Sequence, residues 1–214
     1  MLEFVNVSGT DKGFNLNNIS FCAMEGYITG IIGANGAGKS TLLQYIFDEN
    51  RDYNGKILFD GQDIKINHSS FRNIVSYISD DKRFFNAYSI IDNIKLLSPF
   101  YTEWDNELFF STLNDMEVSS GKTISNLSRG EYIRFQLAFA VAHKSKLYLL
   151  DEATSGMDPV FRRDFYKFLH NLIAIENVTV IMTTHIEEEL KSHMDYVGVM
   201  EAGKLISFGE VEIS

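Results

Sequence analysis

The sequence predicts an α/β fold in which a parallel sheet is covered by helices on both faces. Three short runs, at residues 30–32, 147–150 and 178–182, are almost continuously apolar. Strands that are buried on both faces have this pattern, whereas a strand with one wet face alternates apolar and polar residues. The 214 residues are 45% hydrophobic, which suits one globular domain with a substantial core.

A second region has the alternation of an antiparallel sheet. Residues 2–7 alternate apolar and polar side chains, and residues 18–24 do so more loosely. Residues 56–59 end at Asp60-Gly61, a pair that is typical of a tight hairpin turn. We therefore expect an antiparallel sheet beside the parallel one.

Helical segments lie between these strands. Residues 89–97 and 104–116 are predicted helices, and Pro99 separates them because proline cannot continue a helix. We place a helical subdomain at about residues 83–142.

Composition excludes several classes of protein. The chain has 19 basic and 29 acidic residues, a net charge of −10, so a surface that follows nucleic-acid phosphates is not expected. No run approaches the roughly 20 apolar residues of a membrane-spanning helix, and the first residues lack the pattern of a signal peptide. Cys22 is the only cysteine, so no intramolecular disulfide forms, and we expect it to be a buried small hydrophobe.

The segment GANGAGKST, from Gly33 to Thr41, has the GxxxxGKS pattern of a phosphate-binding loop. It follows a predicted strand and precedes a predicted helix, as such a loop requires. A glycine-rich turn before an ordinary helix is the alternative, but the complete motif in this context favours phosphate binding. The predicted nucleotide contacts here are Gly33, Asn35, Gly36, Ala37, Gly38, Lys39, Ser40 and Thr41.

Each residue type in this loop has a physical role. Glycines allow the tight backbone that points N–H groups at the β- and γ-phosphate oxygens, and the helix that follows directs its positive end at the same anion. Lys39 adds a full positive charge, and Ser40 offers a hydroxyl to Mg²⁺.

Two further elements are spaced as a nucleotide hydrolase requires. Ser128 and Glu131 have the spacing of a capping box at the start of a long helix, which by itself predicts only a well-capped helix. Further along, the apolar run at 147–150 ends in Asp151 and Glu152. Two carboxylates at the end of a buried strand are where such an enzyme needs a magnesium ligand and a base, although a polar strand end is the alternative.

With these motifs in this order, the chain resembles the ATP-binding subunits of ABC transporters over nearly its whole length. The residues LSRGE at 127–131 stand where that family has its LSGGQ signature. The resemblance implies a P-loop NTPase core of the ABC ATPase type, with an antiparallel β-subdomain and an inserted helical subdomain.

The resemblance also implies roles for particular residues. Asp151 would bind Mg²⁺, and Glu152 would orient and deprotonate the attacking water. Ser128 and Gly130 would contact a phosphate, and Asp158 would lie in the loop that crosses a dimer interface. Asp158 before a proline is also a strong helix start, and the two readings are compatible.

His185 resembles the family's switch histidine, which contacts the γ-phosphate, and we assign it with Glu152 and Lys39 to catalysis. The alternative is a histidine at an ordinary helix start, because Thr184 and Glu187 also have capping-box spacing.

The sequence departs from the family pattern at three places. Asp80 stands where a glutamine is usual; as an oxygen donor it suits the metal sphere, and a solvated turn acid is the alternative. Asp11 aligns with the usual adenine-stacking aromatic, so Phe14 is the nearest substitute, with burial in the β-subdomain as its alternative. Arg129 replaces the first glycine of the signature and would face a phosphate or solvent.

The resemblance implies that two such subunits enclose two ATP molecules with Mg²⁺. The implied partners are a transmembrane permease subunit and a second ATP-binding subunit, identical or related. The location is then cytoplasmic, on the inner face of the membrane through the permease. The short form, ending soon after Gly209 with no room for an added regulatory domain, resembles subunits of exporters.

Two other classes of function are weighed. The first is a soluble ABC-type ATPase that acts as an assembly or regulatory module without a membrane partner. The second, a nucleotide-binding protein without turnover, is disfavoured because Glu152 and His185 are both present.

Overall fold

The computed structural model describes residues 1–11 and 13–211. These form two sheets and seven α-helices. In chain order the elements are β1 (Leu2–Asp11), β2 (Phe14–Ala23), β3 (Ile28–Ile32), α1 (Lys39–Phe47), β4 (Asn54–Phe59), β5 (Gln62–Asp63), α2 (His68–Arg72), β6 (Val75–Ile78), α3 (Ile90–Leu97), α4 (Asn106–Asp115), α5 (Arg129–Ala142), β7 (Leu147–Asp151), α6 (Pro159–Glu176), β8 (Thr179–Thr183), α7 (Glu187–His193), β9 (Tyr196–Glu201) and β10 (Lys204–Glu210).

The larger sheet has the order β10-β9-β3-β8-β7-β6. All of its neighbouring strands are parallel except the β9–β10 hairpin. The three apolar runs are its central strands β3, β8 and β7, as predicted. The segments that leave the carboxyl ends of β3, β6, β7 and β8 therefore share one edge of the sheet, where α/β proteins bind ligands. We call this edge the site edge.

The smaller sheet is antiparallel, with the order β2-β1-β4-β5. The predicted hairpin joins β4 to β5: Phe59 pairs with Gln62, and Asp60 and Gly61 have φ angles of 49° and 77°, the left-handed values that a type I′ turn requires. Strands β1 and β2 extend beyond the predicted residues, and irregularities near Val7 interrupt their register.

Apolar side chains fill the space between the two sheets and on both sides of the parallel one. One cluster lies between the sheets around α1, and a second packs α5 and α6 on the other face. A third cluster, rich in aromatic residues, joins α3, α4 and α5. These helices fall within the predicted helical subdomain at 83–142, whose boundaries stay a prediction.

Pro99 lies between α3 and α4, as predicted, in a 3-10 turn, Ser98–Phe100, that directly continues α3. The prediction for Cys22 needs adjustment. Cys22 is only partly buried, with its Sγ 3.7 Å from the Sδ of Met24, and this partial burial raises the pKa of its thiol. Within the described ranges, no helix has the length and apolar character needed to cross a membrane.

Candidate active site

The predicted phosphate-binding loop connects β3 to α1 at the site edge. Gly33, Gly36 and Gly38 have φ angles of 154°, 81° and 105°, which side chains rarely permit. A Cβ at Gly33 would lie 2.2 Å from the carbonyl oxygen of Met200, so this position also has no space for one. Helix α1 begins after Gly38 without a side-chain cap. Its first-turn N–H groups are therefore left for an anion.

Lys39 is buried and folds back over this loop. Its Nζ donates to the carbonyl oxygens of Gly33 (2.9 Å) and Ala34 (3.3 Å) and lies 3.8 Å from Oε1 of Glu152. The ammonium group is thus held at the centre of the loop before any phosphate arrives.

Asp151 ends β7 and accepts three hydroxyl hydrogen bonds. Ser40 Oγ and Thr183 Oγ1 donate to its Oδ1 at 2.9 and 2.7 Å, and the Tyr77 hydroxyl donates to its Oδ2 at 2.5 Å. Burial, and then the charge of Asp151, raise the pKa of Tyr77, so its phenol stays a donor. A hydroxyl and a carboxylate are ligands that suit Mg²⁺, so the predicted pair Ser40 and Asp151 fits this ion.

Glu152 follows with a φ of 48°, unusual for a residue with a side chain. Its N–H donates to both Oγ1 (3.0 Å) and the carbonyl oxygen (3.2 Å) of Thr183. The Glu152 carboxylate lies between Lys39 and His185. Its Oε1 is 3.8 Å from Lys39 Nζ, and its Oε2 is 3.7 Å from His185 Nδ1. The three residues assigned to catalysis are therefore brought together.

The sequence reasoning missed Tyr77 and Thr183. Thr183 lies in register opposite Asp151 on the neighbouring strand, and Tyr77 lies on β6, which pairs with β7 on its other side. The sequence does show a polar residue near the end of each of these buried strands. It does not show the strand order, which determines which of these residues are neighbours.

His185 is half-exposed after β8 and does not belong to a capped helix start. Helix α7 begins at Glu187 with Ile186 as its N-cap residue, so the capping box at Thr184 is wrong. The Thr184 hydroxyl instead donates to the buried Glu189 at 2.7 Å and accepts from the N–H of Ile186. The side chain of Glu187 lies outside the described residues.

Phe14 lies between the phosphate-binding loop and the antiparallel sheet. The ring is partly buried and packs against the cluster between the sheets, and a Cβ on Gly38 would lie 2.7 Å from it, so it also borders the phosphate-binding loop. Asp11 lies opposite Phe14 in the β1–β2 hairpin and forms an ion pair with Arg51. Adenine stacking on Phe14 stays a prediction.

The signature segment forms the predicted capping box. Ser128 Oγ accepts from the N–H of Glu131 at 3.2 Å, and Glu131 Oε2 accepts from the N–H of Ser128 at 3.0 Å. The hydrogen bond from Lys122 lowers the pKa of Glu131, so the carboxylate stays charged. At Gly130 a Cβ would lie 3.2 Å from the ring of Phe161, so α5 needs a small residue there.

Asp158 is the N-cap of α6, as predicted. Its Oδ1 accepts from the N–H of Phe161 at 2.9 Å, and this hydrogen bond lowers the pKa of Asp158. Over residues 1–11 and 13–211, no hydrogen bond or ion pair links Ser128, Gly130 or Asp158 to the phosphate-binding loop. The two phosphate-directed elements of one chain are therefore not joined to each other.

Asp80 and Arg129 contact each other. Oδ2 of Asp80 lies 3.4 Å from Nη2 of Arg129, which also donates to the main-chain oxygen of Glu152 at 3.3 Å. Arg129 thus faces the site edge of its own chain, a placement that neither predicted alternative described. A metal role for Asp80 stays a prediction.

These features define the class of protein: a nucleotide-binding α/β domain with a P-loop, a carboxylate pair and a capped signature helix. The family model for ABC transporters matches residues 16–155, and the chain belongs to this family. The predicted fold class is confirmed by solved structures as well. A structure of an ATP-binding subunit of an ABC transporter covers 99% of the chain with a TM-score of 0.87 at 20% identity, and 90% of that structure is covered.

Relatives of known name are similar over nearly the whole chain. A methionine import ATP-binding protein, MetN, from Haemophilus ducreyi is 32% identical over 99% of this chain, which spans 65% of that protein's length. The ABC transporter ATP-binding protein YtrB from Bacillus subtilis is 27% identical over 99% of this chain, which spans 73% of its length. The chain therefore spans about two thirds of the length of these relatives.

Proposed function

We propose that this chain is an ATP-hydrolysing subunit that powers an ABC transporter through a separate transmembrane permease subunit. The observation that carries the proposal is the position of the Glu152 carboxylate, between Lys39 and His185 and beside the hydroxyl network of Asp151. Membership of the family supports binding of ATP, and the position of Glu152 supports hydrolysis of ATP rather than binding alone.

The site residues divide the chemistry among them. The loop N–H groups and Lys39 bind the β- and γ-phosphates. Glu152 accepts a proton from the attacking water while the water oxygen bonds to the γ-phosphorus and the bond between the γ-phosphorus and ADP breaks. His185 donates to a γ-phosphate oxygen. Ser40 and Asp151 would hold Mg²⁺, which supplies neutralisation of phosphate charge when bound.

A second subunit completes the site. Ser128 and Gly130 begin a 14-residue helix, a good place for phosphate, yet they are not joined to the phosphate-binding loop of their own chain. The signature of one subunit therefore faces the ATP held by the loop of the other, with Asp158 near the interface. ATP binding closes this pair, and hydrolysis opens it.

The permease partner gives the chain its place at the cytoplasmic face of the membrane. The exporter expected from the sequence is not favoured by the relatives, several of which are named methionine import proteins. We therefore propose import as the direction to test first, by measuring substrate uptake in cells with and without this subunit. A soluble ATPase module remains the competing function, and failure to co-purify with any multi-spanning membrane protein from native membranes would favour it.

The direct test of the proposal is a trapped dimer. Glu152→Gln keeps the size of the side chain but removes the base, so ATP with Mg²⁺ should shift the purified protein from monomer to dimer in size-exclusion chromatography. Glu103→Gln, which changes an exposed glutamate that forms an ion pair with Lys144, is the control and should stay monomeric while hydrolysing ATP. A Glu152→Gln protein that stays monomeric at saturating ATP contradicts the proposal.

A further inference from the structure

Arg129, at the start of α5, contacts two segments at the site edge: the one that follows β6 and the one that follows β7. Its Nη2 lies 3.4 Å from Asp80, after β6, and donates to the main-chain oxygen of Glu152, after β7, at 3.3 Å. Its Nη1 lies beside Gly156, where an added Cβ would approach to 3.3 Å. Because Arg129 is the first residue of α5, these contacts join the start of the signature helix to the loop that carries the base.

We propose that Arg129 and Asp80 form one positioning unit that fixes the main chain of Glu152. The inference rests on the proposed function, in which Glu152 is the base. Glu152 has a left-handed backbone, which persists only where its surroundings hold it. Thr183 holds the N–H side of the residue, and Arg129 holds the carbonyl side together with the N–H of Ser155, which donates to the same oxygen at 3.1 Å. Removing Arg129 therefore leaves the carbonyl with only the local Ser155 bond of its own loop and removes its link to α5.

Asp80 is a charged partner that holds the Arg129 guanidinium in place at 3.4 Å. Asp80 places a compensating charge on the same guanidinium, so the pair adds no net charge to the site. The contacts of Asp80 in this structure thus assign it to Arg129 as counter-ion. The guanidinium places Nη2 against Asp80 and the Glu152 carbonyl and Nη1 beside Gly156, an arrangement of two nitrogens that a single lysine ammonium does not reproduce.

The inference is tested first without nucleotide, so that contacts between subunits do not contribute. Hydrogen exchange of the amides in residues 152–158 is measured for the unaltered protein, Asp80→Asn, Arg129→Gln and the double variant. Arg129→Gln should speed exchange about 3- to 10-fold, the effect of losing one partly exposed charge-assisted hydrogen bond. The double variant should match Arg129→Gln, because Asp80 acts only through Arg129.

Matched controls change the same residue types nearby or on another helix. Asp81→Asn alters the exposed neighbour of Asp80; Asp81 forms an ion pair with Arg83. Arg163→Gln alters an exposed arginine that forms an ion pair with Asp164. Neither should change exchange at 152–158 by more than about twofold, since exposed ion pairs contribute little.

Steady-state hydrolysis gives the second measurement. Arg129→Gln should lower kcat about 10-fold with little change in KM for ATP, because the phosphate-binding loop is intact and only the base is displaced. Arg129→Lys should recover less than half of the loss. The positioning unit is overturned if Arg129→Lys restores the full kcat. It is also overturned if the effects of Asp80→Asn and Arg129→Gln multiply in the double variant. If the unaltered protein neither hydrolyses ATP nor dimerises as Glu152→Gln, the proposed function itself has failed.

Discussion

At the residue scale, two hydroxyl groups outside the family motifs organise the carboxylates of the site. Thr183 bonds to both Asp151 and the N–H of Glu152, and Tyr77 bonds to Asp151 from the other side. Hydrogen bonds of this kind orient metal-binding carboxylates and tune their affinity. The site therefore depends on residues that the motifs do not contain.

Thr183→Val should impair hydrolysis more than folding. The substitution removes the hydroxyl that bonds to both Asp151 and the N–H of Glu152, and losing these two hydrogen bonds costs about 1–3 kcal/mol of unfolding free energy. The N–H of Glu152 keeps its bond to the main-chain oxygen of residue 183. We expect kcat to fall about 10-fold, since the base loses an anchor. Thr179→Val is the control on the same strand, because the buried Thr179 hydroxyl has no partner among the described residues. Equal losses in the two variants would contradict the prediction.

Tyr77→Phe should raise the Mg²⁺ concentration needed for half-maximal hydrolysis by about 10-fold, the effect typical of losing a partner behind a metal ligand. The phenol is the donor to Oδ2 of Asp151, and no other residue within the described part of the chain donates to that atom. Tyr45→Phe removes a buried hydroxyl that has no hydrogen-bond partner in residues 1–11 and 13–211, and it serves as the control. A Mg²⁺ titration that is the same for both variants would argue against the role of Tyr77.

At the element scale, the reliability of the sequence reasoning follows from how local each signal is. The apolar runs, the Asp60-Gly61 turn and the Ser128 cap depend on neighbours along the chain, and the structure has all three. Contacts that depend on strand order, such as Tyr77 with Asp151, were missed. Asp80 and Arg129 each differ from the family pattern, but only the fold shows that they contact each other. The same holds for the other side chains that touch across the site edge, because the sequence does not show which segments meet there.

Gly33→Ala should damage the phosphate-binding loop as a whole. A methyl group at residue 33 meets the carbonyl oxygen of Met200 at 2.2 Å, and the main chain there must move. Gly61→Ala has a positive φ but open space around it, so it measures the cost of the backbone conformation alone, about 1–2 kcal/mol. We expect Gly33→Ala to lose more unfolding free energy than Gly61→Ala in urea titrations. It should also lose binding of a fluorescent ATP analogue, which Gly61→Ala should retain.

At the scale of the whole molecule, the catalytic groups and the signature helix are held by different parts of one fold. The parallel sheet positions Lys39, Asp151 and Glu152, whereas α5 and its aromatic cluster position Ser128. Arg129 is a direct polar link between the two. Movement of the helical part relative to the sheet would therefore reach Glu152, the proposed base, through that residue.

The junction between α5 and the sheet also makes the stability of the molecule depend on pH. His143 is buried; its Nε2 lies 2.6 Å from Ser145 Oγ and 3.1 Å from Ser76 Oγ, and burial lowers the pKa of His143 to about 4. The folded protein thus favours the neutral imidazole, whereas the unfolded chain takes up a proton near pH 6.5. The neutral, buried imidazole therefore contributes fully to stability above pH 6.5, and this contribution is lost as the pH falls toward 4. At pH 5 the loss is about 2 kcal/mol of unfolding free energy.

Urea unfolding at pH 7 and pH 5 measures that loss, and His143→Asn separates it from the loss due to other groups. The variant is expected to be less stable at pH 7, because an amide does not reproduce both hydrogen bonds of the ring. Its further loss between pH 7 and pH 5 should nevertheless be smaller than that of the unaltered protein by about 2 kcal/mol, since no buried imidazole remains to be charged. Identical pH dependence in His143→Asn and the unaltered protein would mean that His143 does not link the packing of α5 to pH.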